Sequence, residues 1–141
     1  MELVAERTGT AVPRSQSCAV ILLDTNALIW LLQGHRRARA LEGQPRLHIS
    51  PASLLEIQVL LEVGRLAMAD GGSVEAVAAD PRWALDEPRS GAWFAQAMEL
   101  GWTRDPFDRL IVAHARVRSW KLATGDTALL ERLGPRERLS L

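Results

Sequence analysis

The sequence has few of the residues that secreted, membrane-spanning or thiolate-metal proteins need. Cys18 is its single cysteine, so no disulfide can form within the chain and a cytoplasmic location is expected. The longest apolar stretches, at residues 19–23 and 27–32, are far shorter than the roughly 20 residues that cross a bilayer, so no membrane segment is expected. The three histidines show no ligand spacing with the cysteine or with one another, which predicts surface or packing positions for them.

Net charge is also missing, because 17 basic residues balance 17 acidic ones. A chain without net charge is not expected to bind long nucleic acid by electrostatic attraction alone. Two local groups of arginines remain, at residues 36–39 and 104–118. They are typical either of solvated helix faces or of a basic rim beside a local site.

The length and apolar content predict one domain with one core. The chain has 141 residues, and 48% of them are hydrophobic. Residues 18–141 are assigned to this domain. Residues 1–17 lack the apolar block and small-residue cleavage site of a secretory signal, so they are interpreted as a flexible tail.

Short apolar strands alternate with helical patterns along the domain. This alternation predicts an α/β fold with a mostly parallel central sheet and helices on both faces. The expected strands are 18–23, 47–49, 83–85, 121–124 and 138–141, and the expected helices are 27–33, 52–63, 73–79, 91–100, 106–119 and 127–133. Gly34 and Gly64 are expected to end the first two helices, and Ser50-Pro51 and Asp105-Pro106 to begin two others.

Three acids follow strands or begin helices at the edge where such sheets bind ligands. Asp24 comes directly after the first strand, Asp126 follows the strand at 121–124, and Asp108 lies in the first turn of the helix opened by Asp105. Each has an alternative explanation, because an aspartate near a helix start caps free N–H groups. Parallel sheets nevertheless place their sites at the carboxyl ends of the strands, so the three are expected to lie together.

A fourth acid, Glu56, lies in an otherwise apolar helix. It is the only charged residue from Pro51 to Leu61, and no lysine or arginine occurs from Pro51 to Val63. A buried carboxylate without a partner is costly, so either a metal ion or a distant arginine is expected to compensate it. Several carboxylates in one pocket would raise each other's pKa unless a divalent cation neutralised them. Their hard oxygen atoms suit Mg²⁺ or Mn²⁺, which can activate water against a phosphodiester.

These residues resemble the PIN-domain ribonucleases, and in particular the VapC-like toxins of bacterial type II toxin–antitoxin pairs. The resemblance runs from Val20 to about Leu130. It rests on Leu-Leu-Asp-Thr-Asn-Ala-Leu-Ile-Trp (22–30), Ser-Pro-Ala-Ser-Leu-Leu-Glu-Ile (50–57), Gly-Arg-Leu (64–66), Arg-Asp-Pro-Phe-Asp-Arg-Leu-Ile-Val-Ala (104–113) and Ala-Thr-Gly-Asp (123–126).

The resemblance implies a three-layer α/β/α sandwich that binds Mg²⁺ or Mn²⁺, cleaves RNA internally, forms a homodimer and is inhibited by a cognate antitoxin protein. It places the catalytic, metal-binding acids at Asp24, Glu56, Asp108 and Asp126 and supporting polar residues at Asn26 and Thr124. From the second arginine group, Arg104 and Arg109 are candidate substrate-binding residues.

The chain departs from the family at two positions that bear on function. Leu60 stands where relatives often have a lysine, and His114 where a glutamine is common, so the means of gripping substrate differ here. A catalytically weak or inactive PIN-like module that binds RNA or protein is therefore the alternative. A phosphorelay receiver or a haloacid-dehalogenase-like phosphatase is disfavoured, because Asp24 is followed by Thr25 and Asn26 instead of a further acid.

Overall fold

The central sheet places the acids, and its strands are short. The computed structural model describes residues 19–141 and contains β1 (Ile21–Leu23), β2 (Leu47–Ile49), β3 (Ala84–Leu85), β4 (Lys121–Thr124) and β5 (Arg138–Ser140). They form one sheet in the order β3-β2-β1-β4-β5, with every neighbouring pair parallel. The predicted parallel α/β/α sandwich is confirmed. The predicted tail at residues 1–17 and Cys18 lie outside the described residues.

Helices cover both faces of this sheet. They are α1 (Thr25–Gln33), α2 (Pro51–Glu62), α3 (Val74–Ala78), α4 (Ser90–Met98), α5 (Pro106–Arg118) and α6 (Thr127–Arg132), and two 3₁₀ helices span Arg36–Leu41 and Ala69–Gly71. Side chains alternate across β1, so that Ile21 and Leu23 join one buried cluster while Leu22 joins the other. The fold therefore has two cores, one on each side of a fully buried central strand.

The helices begin and end at capping residues that are recognisable in the sequence. The side chains of Asp24, Ser50, Asp105 and Asp126 each accept a backbone N–H and begin α1, α2, α5 and α6 respectively. Gly34 ends α1 in the left-handed conformation at φ 67°, which a residue without a Cβ adopts at little cost. Local side-chain chemistry thus sets where these helices start and stop.

Several boundaries differ from the predicted ones by one to three residues. The first strand begins at Ile21, because the Ile21 N–H bonds the Arg46 carbonyl and regular pairing with β2 starts there. Trp83 does not belong to β3, since its indole N–H donates to the Val77 carbonyl and its ring packs into a core cluster. The two 3₁₀ helices were not predicted. No helix in the described part of the chain combines the length and apolar character that a bilayer crossing requires.

Candidate active site

Asp24 lies where β1 passes into α1 and is almost completely buried. Its N–H donates to the Ala123 carbonyl at 3.1 Å, which continues the β1–β4 pairing past the end of β1. Its carboxylate accepts the Ala27 N–H at 2.7 Å and also a hydrogen bond from the Thr124 hydroxyl. The capping explanation and the site explanation therefore hold together, because one oxygen caps the helix while the group faces the carboxyl edge of the sheet.

Asp126 is brought beside Asp24 because β1 and β4 are neighbours in the sheet. The Asp126 N–H donates to the Thr124 hydroxyl oxygen at 3.0 Å, and its carboxylate accepts the Ala128 and Leu129 N–H groups at 2.8 and 3.3 Å. Thr124 thus connects the two acids and is itself fully buried. Asn26, the other predicted supporting residue, is exposed in the first turn of α1, and no described residue hydrogen-bonds its side chain.

Glu56 projects from α2 towards α1 and finds a partner that the sequence analysis missed. The Thr25 hydroxyl donates to Glu56 Oε1 at 2.5 Å and also contacts the buried Ser53 hydroxyl at 3.1 Å. We expected a metal or a distant arginine, and among the described residues a threonine supplies the hydrogen bond. The available signal was Ser53, which precedes Glu56 by three residues and therefore shares its helix face.

The first turn of α5 separates two acids into different roles. Asp105 is the N-cap, accepting the Phe107 N–H at 2.9 Å and the Asp108 N–H at 3.4 Å through one oxygen. Asp108 has no hydrogen-bond donor among the described residues, and it lies inside the first turn where the helix dipole favours an anion. Contact between α2 and α5 brings this turn to the Glu56 side of the site.

Burial and repulsion between neighbouring acids raise the pKa values of Asp24, Glu56 and Asp108, so these carboxyl groups keep their protons to higher pH than usual. Burial raises the pKa of Asp24 to about 6, against hydrogen bonds from Thr124 and Ala27 and with repulsion from Asp126 and Glu56. Burial also raises the pKa of Glu56, opposed by the Thr25 hydroxyl and increased by Asp105.

Asp108 is the most perturbed acid of the group. Burial raises its pKa to about 7, and repulsion from Asp105, Asp126, Glu56 and Asp24 adds to the rise. These interactions place Asp24, Glu56 and Asp126 within electrostatic range of Asp108. Among residues 19–141, no lysine or arginine stabilises the ionised forms of Asp24, Glu56 or Asp108. The described site is consequently a group of acids without a basic partner.

The donor set fits a hard divalent cation. Among the side chains that the structure describes, no three carboxylate, histidine or cysteine groups lie together as a preformed metal site. Like charges without a cation keep apart, and Mg²⁺ usually keeps several waters while binding through one or two carboxylates. A cage of direct ligands is therefore not required, whereas oxygen donors with raised pKa values are what a cation would stabilise.

The two predicted substrate-binding arginines lie near the start of α5, and their side chains donate hydrogen bonds to backbone carbonyls. Arg104 Nη1 donates to the Gly101 carbonyl at 2.9 Å, and Arg109 Nε donates to the Thr103 carbonyl at 2.8 Å. The other two arginines of that sequence group lie at the far end of the helix. Arg118 is about 15 Å from Asp108, at 1.5 Å rise per residue, and it pairs with Asp86.

The three histidines take surface and packing positions, as their spacing in the sequence predicted. His114 is fully buried in α5, and its Nε2 lies 2.7 Å from Asp86 Oδ2. His35 begins the 3₁₀ helix at Arg36–Leu41, and its Nδ1 accepts the Arg37 N–H at 3.1 Å. His48 lies within β2 and packs its ring against Trp120.

The chain is similar in sequence to one protein family and in fold to several solved structures. The family model described as the PIN domain matches residues 21–134. A toxin–antitoxin complex from Klebsiella pneumoniae contains a similar chain, at 20% identity and a TM-score of 0.61, with 85% of this chain and 96% of that chain covered. The VapBC2 structure from Rickettsia felis, bound to a promoter DNA fragment, contains a similar chain at 17% identity and a TM-score of 0.60. The match covers 86% of this chain and 97% of that chain.

A third solved structure comes from Pyrobaculum aerophilum. It matches at 20% identity and a TM-score of 0.58, with 86% of this chain and 89% of that chain covered. No curated protein matches the chain. At these identities the solved structures establish the shared fold, while the family model establishes which family the sequence fits.

Proposed function

Because the chain belongs to the PIN-domain family, we propose that it is a divalent-metal-dependent endoribonuclease that acts as the toxin of a toxin–antitoxin pair. The proposed metal-binding and catalytic acids are Asp24, Glu56, Asp108 and Asp126. The cofactor would be Mg²⁺ or Mn²⁺ and the substrate RNA. A cytoplasmic location follows from that substrate.

The observation that carries this proposal is the uncompensated charge of the acidic group. Asp24, Glu56 and Asp126 all repel Asp108, and the described hydrogen-bond partners of Asp24 and Glu56 are hydroxyl and amide groups without a lysine or arginine. A fold selected for stability alone would replace such acids, since each raised pKa means that ionisation opposes folding. Binding of a cation would remove that opposition, which gives the acids a reason to be together.

When bound, the divalent cation would polarise the phosphodiester and lower the pKa of a water molecule. The residues of this chain set the positions around it. Thr124 fixes the Asp24 carboxylate with its hydroxyl and the Asp126 backbone with its oxygen, while Thr25 fixes Glu56. Asp108, whose pKa is about 7 in the metal-free chain, would give up its proton on binding the cation, because the cation stabilises the ionised carboxylate.

Cleavage of purified RNA tests the enzymatic part of the proposal. Chain purified free of any partner should cut single-stranded and structured RNAs internally with Mg²⁺ or Mn²⁺ and should stop when EDTA is added. Asp24→Asn is the matched inactive variant, because asparagine still caps α1 but removes the charge. Absence of cleavage by the folded wild-type chain in either metal would overturn this part.

The toxin assignment is supported by the solved structures of the same fold, of which one is a toxin–antitoxin complex and another a VapBC2 structure. Expressing the chain alone should slow bacterial growth, and Asp24→Asn should relieve the effect at equal soluble expression. Coexpression with the neighbouring gene should restore growth and yield a copurifying small protein. Equal growth of wild type and Asp24→Asn would contradict the toxin role.

Exposed apolar side chains support a protein partner and a homodimer. Leu55, Val59 and Val63 recur every four residues along and just past α2, and Phe94 and Met98 do the same on α4. Large apolar side chains in such rows mark surfaces that other chains cover. Light scattering on the purified chain should give twice the monomer mass, and Leu55→Glu should disturb either this mass or antitoxin copurification.

The competing function is a PIN-like module that binds RNA or protein without cutting. It is favoured by the spacing of the acids, which do not already form a metal cage among the described residues. RNA binding by the wild-type chain that is identical with Mn²⁺ and with EDTA, together with absent cleavage, would select this alternative.

A further inference from the structure

Arg37 lies against the loop that carries two of the site residues. Its Nη2 donates to the Gly125 carbonyl at 3.5 Å and to the Leu141 carbonyl at 3.2 Å. Gly125 lies between Thr124 and Asp126, and the Leu141 N–H bonds the Thr124 carbonyl at 3.0 Å. A residue 88 positions away in sequence from Gly125 thus places its guanidinium beside the acidic site.

The orientation of the guanidinium is set by an aromatic ring of α1. The Arg37 Cζ lies 4.3 Å from the centroid of the Trp30 ring, a cation–π contact, and the His35 ring stacks on the same tryptophan at 5.5 Å. Stacking of this kind restricts the rotamers of an arginine before it binds anything. A restricted side chain loses less entropy when it meets a ligand.

Glycine at position 125 is what lets Arg37 come so close. A Cβ added there would lie 2.6 Å from Arg37 Nη2 and 2.7 Å from a ring carbon of Trp30, so no other residue fits without displacing them. Consecutive Cα atoms are about 3.8 Å apart, which places Nη2 within roughly 8 Å of the Asp126 Cα. This distance is of the order of one nucleotide.

The rest of the guanidinium is available to a ligand. The Arg37 side chain is exposed, and none of the described residues hydrogen-bonds its Nε or Nη1. Those two atoms carry three N–H groups. The acids, by contrast, repel a phosphodiester, and in the described part of the chain no arginine or lysine stabilises Asp24, Glu56 or Asp108. A polyanionic substrate therefore needs a cation at the rim of the site, and Arg37 is placed to supply one.

We propose that Arg37, stacked on Trp30 and seated over Gly125, binds a phosphate of single-stranded RNA next to the phosphodiester that is cut. This inference rests on the proposed nuclease function and names a substrate contact for it. It replaces Arg104 and Arg109 as the first candidate, because Arg37 contacts the Asp126 loop directly, whereas those two contact the segment before α5.

Binding of a short, fluorescein-labelled, single-stranded RNA of mixed sequence tests the proposal. The measurement is fluorescence anisotropy with Mn²⁺ at several salt concentrations, in the Asp24→Asn background so that the RNA stays intact. Arg37→Ala is compared with Arg39→Ala, which removes the same charge from an exposed position on the same 3₁₀ helix. Arg37→Lys keeps the charge but loses the planar group that spans carbonyl and phosphate.

Arg37→Ala should weaken binding by about tenfold to a hundredfold, as expected for loss of a charged hydrogen bond. The slope of log affinity against log salt should fall by roughly 0.7, the value for one phosphate contact on a single strand. Arg37→Lys should be intermediate and Arg39→Ala close to its parent. In the cleavage assay, Arg37→Ala in an otherwise wild-type chain should raise KM more than it lowers kcat.

Equal effects of Arg37→Ala and Arg39→Ala would overturn the proposal while leaving nuclease activity intact. A fall in melting temperature, or loss of the Mn²⁺ effect on it, in Arg37→Ala would also overturn it, since Arg37 would then be holding the Asp126 loop. If the Asp24→Asn parent binds no RNA and the wild type cuts none, the nuclease function itself is wrong. The three results differ, so the two proposals fail separately.

Discussion

Replacing Asp108 by asparagine should make the metal-free protein more stable at pH 8, although it should abolish activity. Burial, with repulsion from neighbouring acids, raises the pKa of Asp108 to about 7 from 3.8. At about 1.4 kcal/mol per pH unit, ionising this carboxyl in the folded chain opposes folding by about 4 kcal/mol. Solvent reaches part of the side chain and screens the repulsion, so we expect a gain of about 2 kcal/mol in Asp108→Asn.

The sign of the pH dependence follows from where the proton is held. Between the unfolded pKa and the raised folded pKa, the folded chain binds more protons than the unfolded chain. The free energy of unfolding of the metal-free wild type therefore falls as pH rises from about 4 to about 7, as far as this group is concerned. Asp108→Asn lacks this decline, so the two proteins should differ most at pH 8 and little near pH 4.

Thermal and urea unfolding in EDTA measure the effect. For a chain of this size, about 2 kcal/mol corresponds to a rise of about 6 °C in Tm at pH 8. Asp105→Asn is the matched control three residues away. Its side chain caps α5, and asparagine caps as well as aspartate, so its stability should change by less than about 1 kcal/mol and RNA cleavage should largely remain.

The reasoning would be refuted by either of two results. One is an Asp108→Asn protein that is no more stable than wild type at pH 8 in EDTA. The other is the reverse activity pattern, in which Asp105→Asn abolishes metal-dependent cleavage and Asp108→Asn retains it. The first result would show that ionisation of Asp108 does not oppose folding. The second would show that Asp105 binds the metal and Asp108 caps the helix.

Three further predictions concern the same edge of the sheet. Mn²⁺ should bind more tightly as pH rises from about 5 to about 8, because Asp24 and the other carboxyl groups must lose their protons to bind it. An affinity for Mn²⁺ that calorimetry shows to be independent of pH would contradict this. Thr25→Val removes the hydroxyl that donates to Glu56, so the pKa of Glu56 should rise further and the acid limb of the pH–rate profile should move to higher pH, while Thr25→Ser should restore it. Gly125→Ala puts a Cβ 2.7 Å from a tryptophan ring carbon and should cost about 1–3 kcal/mol in urea unfolding, whereas Gly101→Ala, with nothing within 4 Å of its Cβ, should cost less.

Local signals in the sequence predicted the fold well. The strands at residues 47–49 and 121–124 have the predicted bounds, because short apolar runs end there at a capping residue or a turn. The caps at Asp105 and Asp126 are those that a proline or a following apolar run indicated. In each of these cases the information lies within four or five consecutive residues.

What the sequence did not predict depends on pairs that are distant in sequence. Thr25 and Glu56 are 31 residues apart, and Arg37 and Gly125 are 88 apart, so no local pattern marks either contact. The 3₁₀ helix at Arg36–Leu41 was missed for a different reason, since its arginine-rich sequence has no apolar periodicity beyond two buried side chains. The metal-ligand roles of the four acids stay predictions that cleavage and metal-binding measurements decide.

Two of the proposed catalytic acids also begin the helices that follow them. Asp24 and Asp126 cap α1 and α6, whereas Asp108 and Glu56 cap nothing. Asparagine would keep each cap and discard the charge, while alanine would lose both. Homologues that no longer cleave RNA but are still selected as folded binding partners should therefore carry asparagine at the two capping positions. At the positions of Asp108 and Glu56, loss of selection for cleavage would allow substitution by apolar residues.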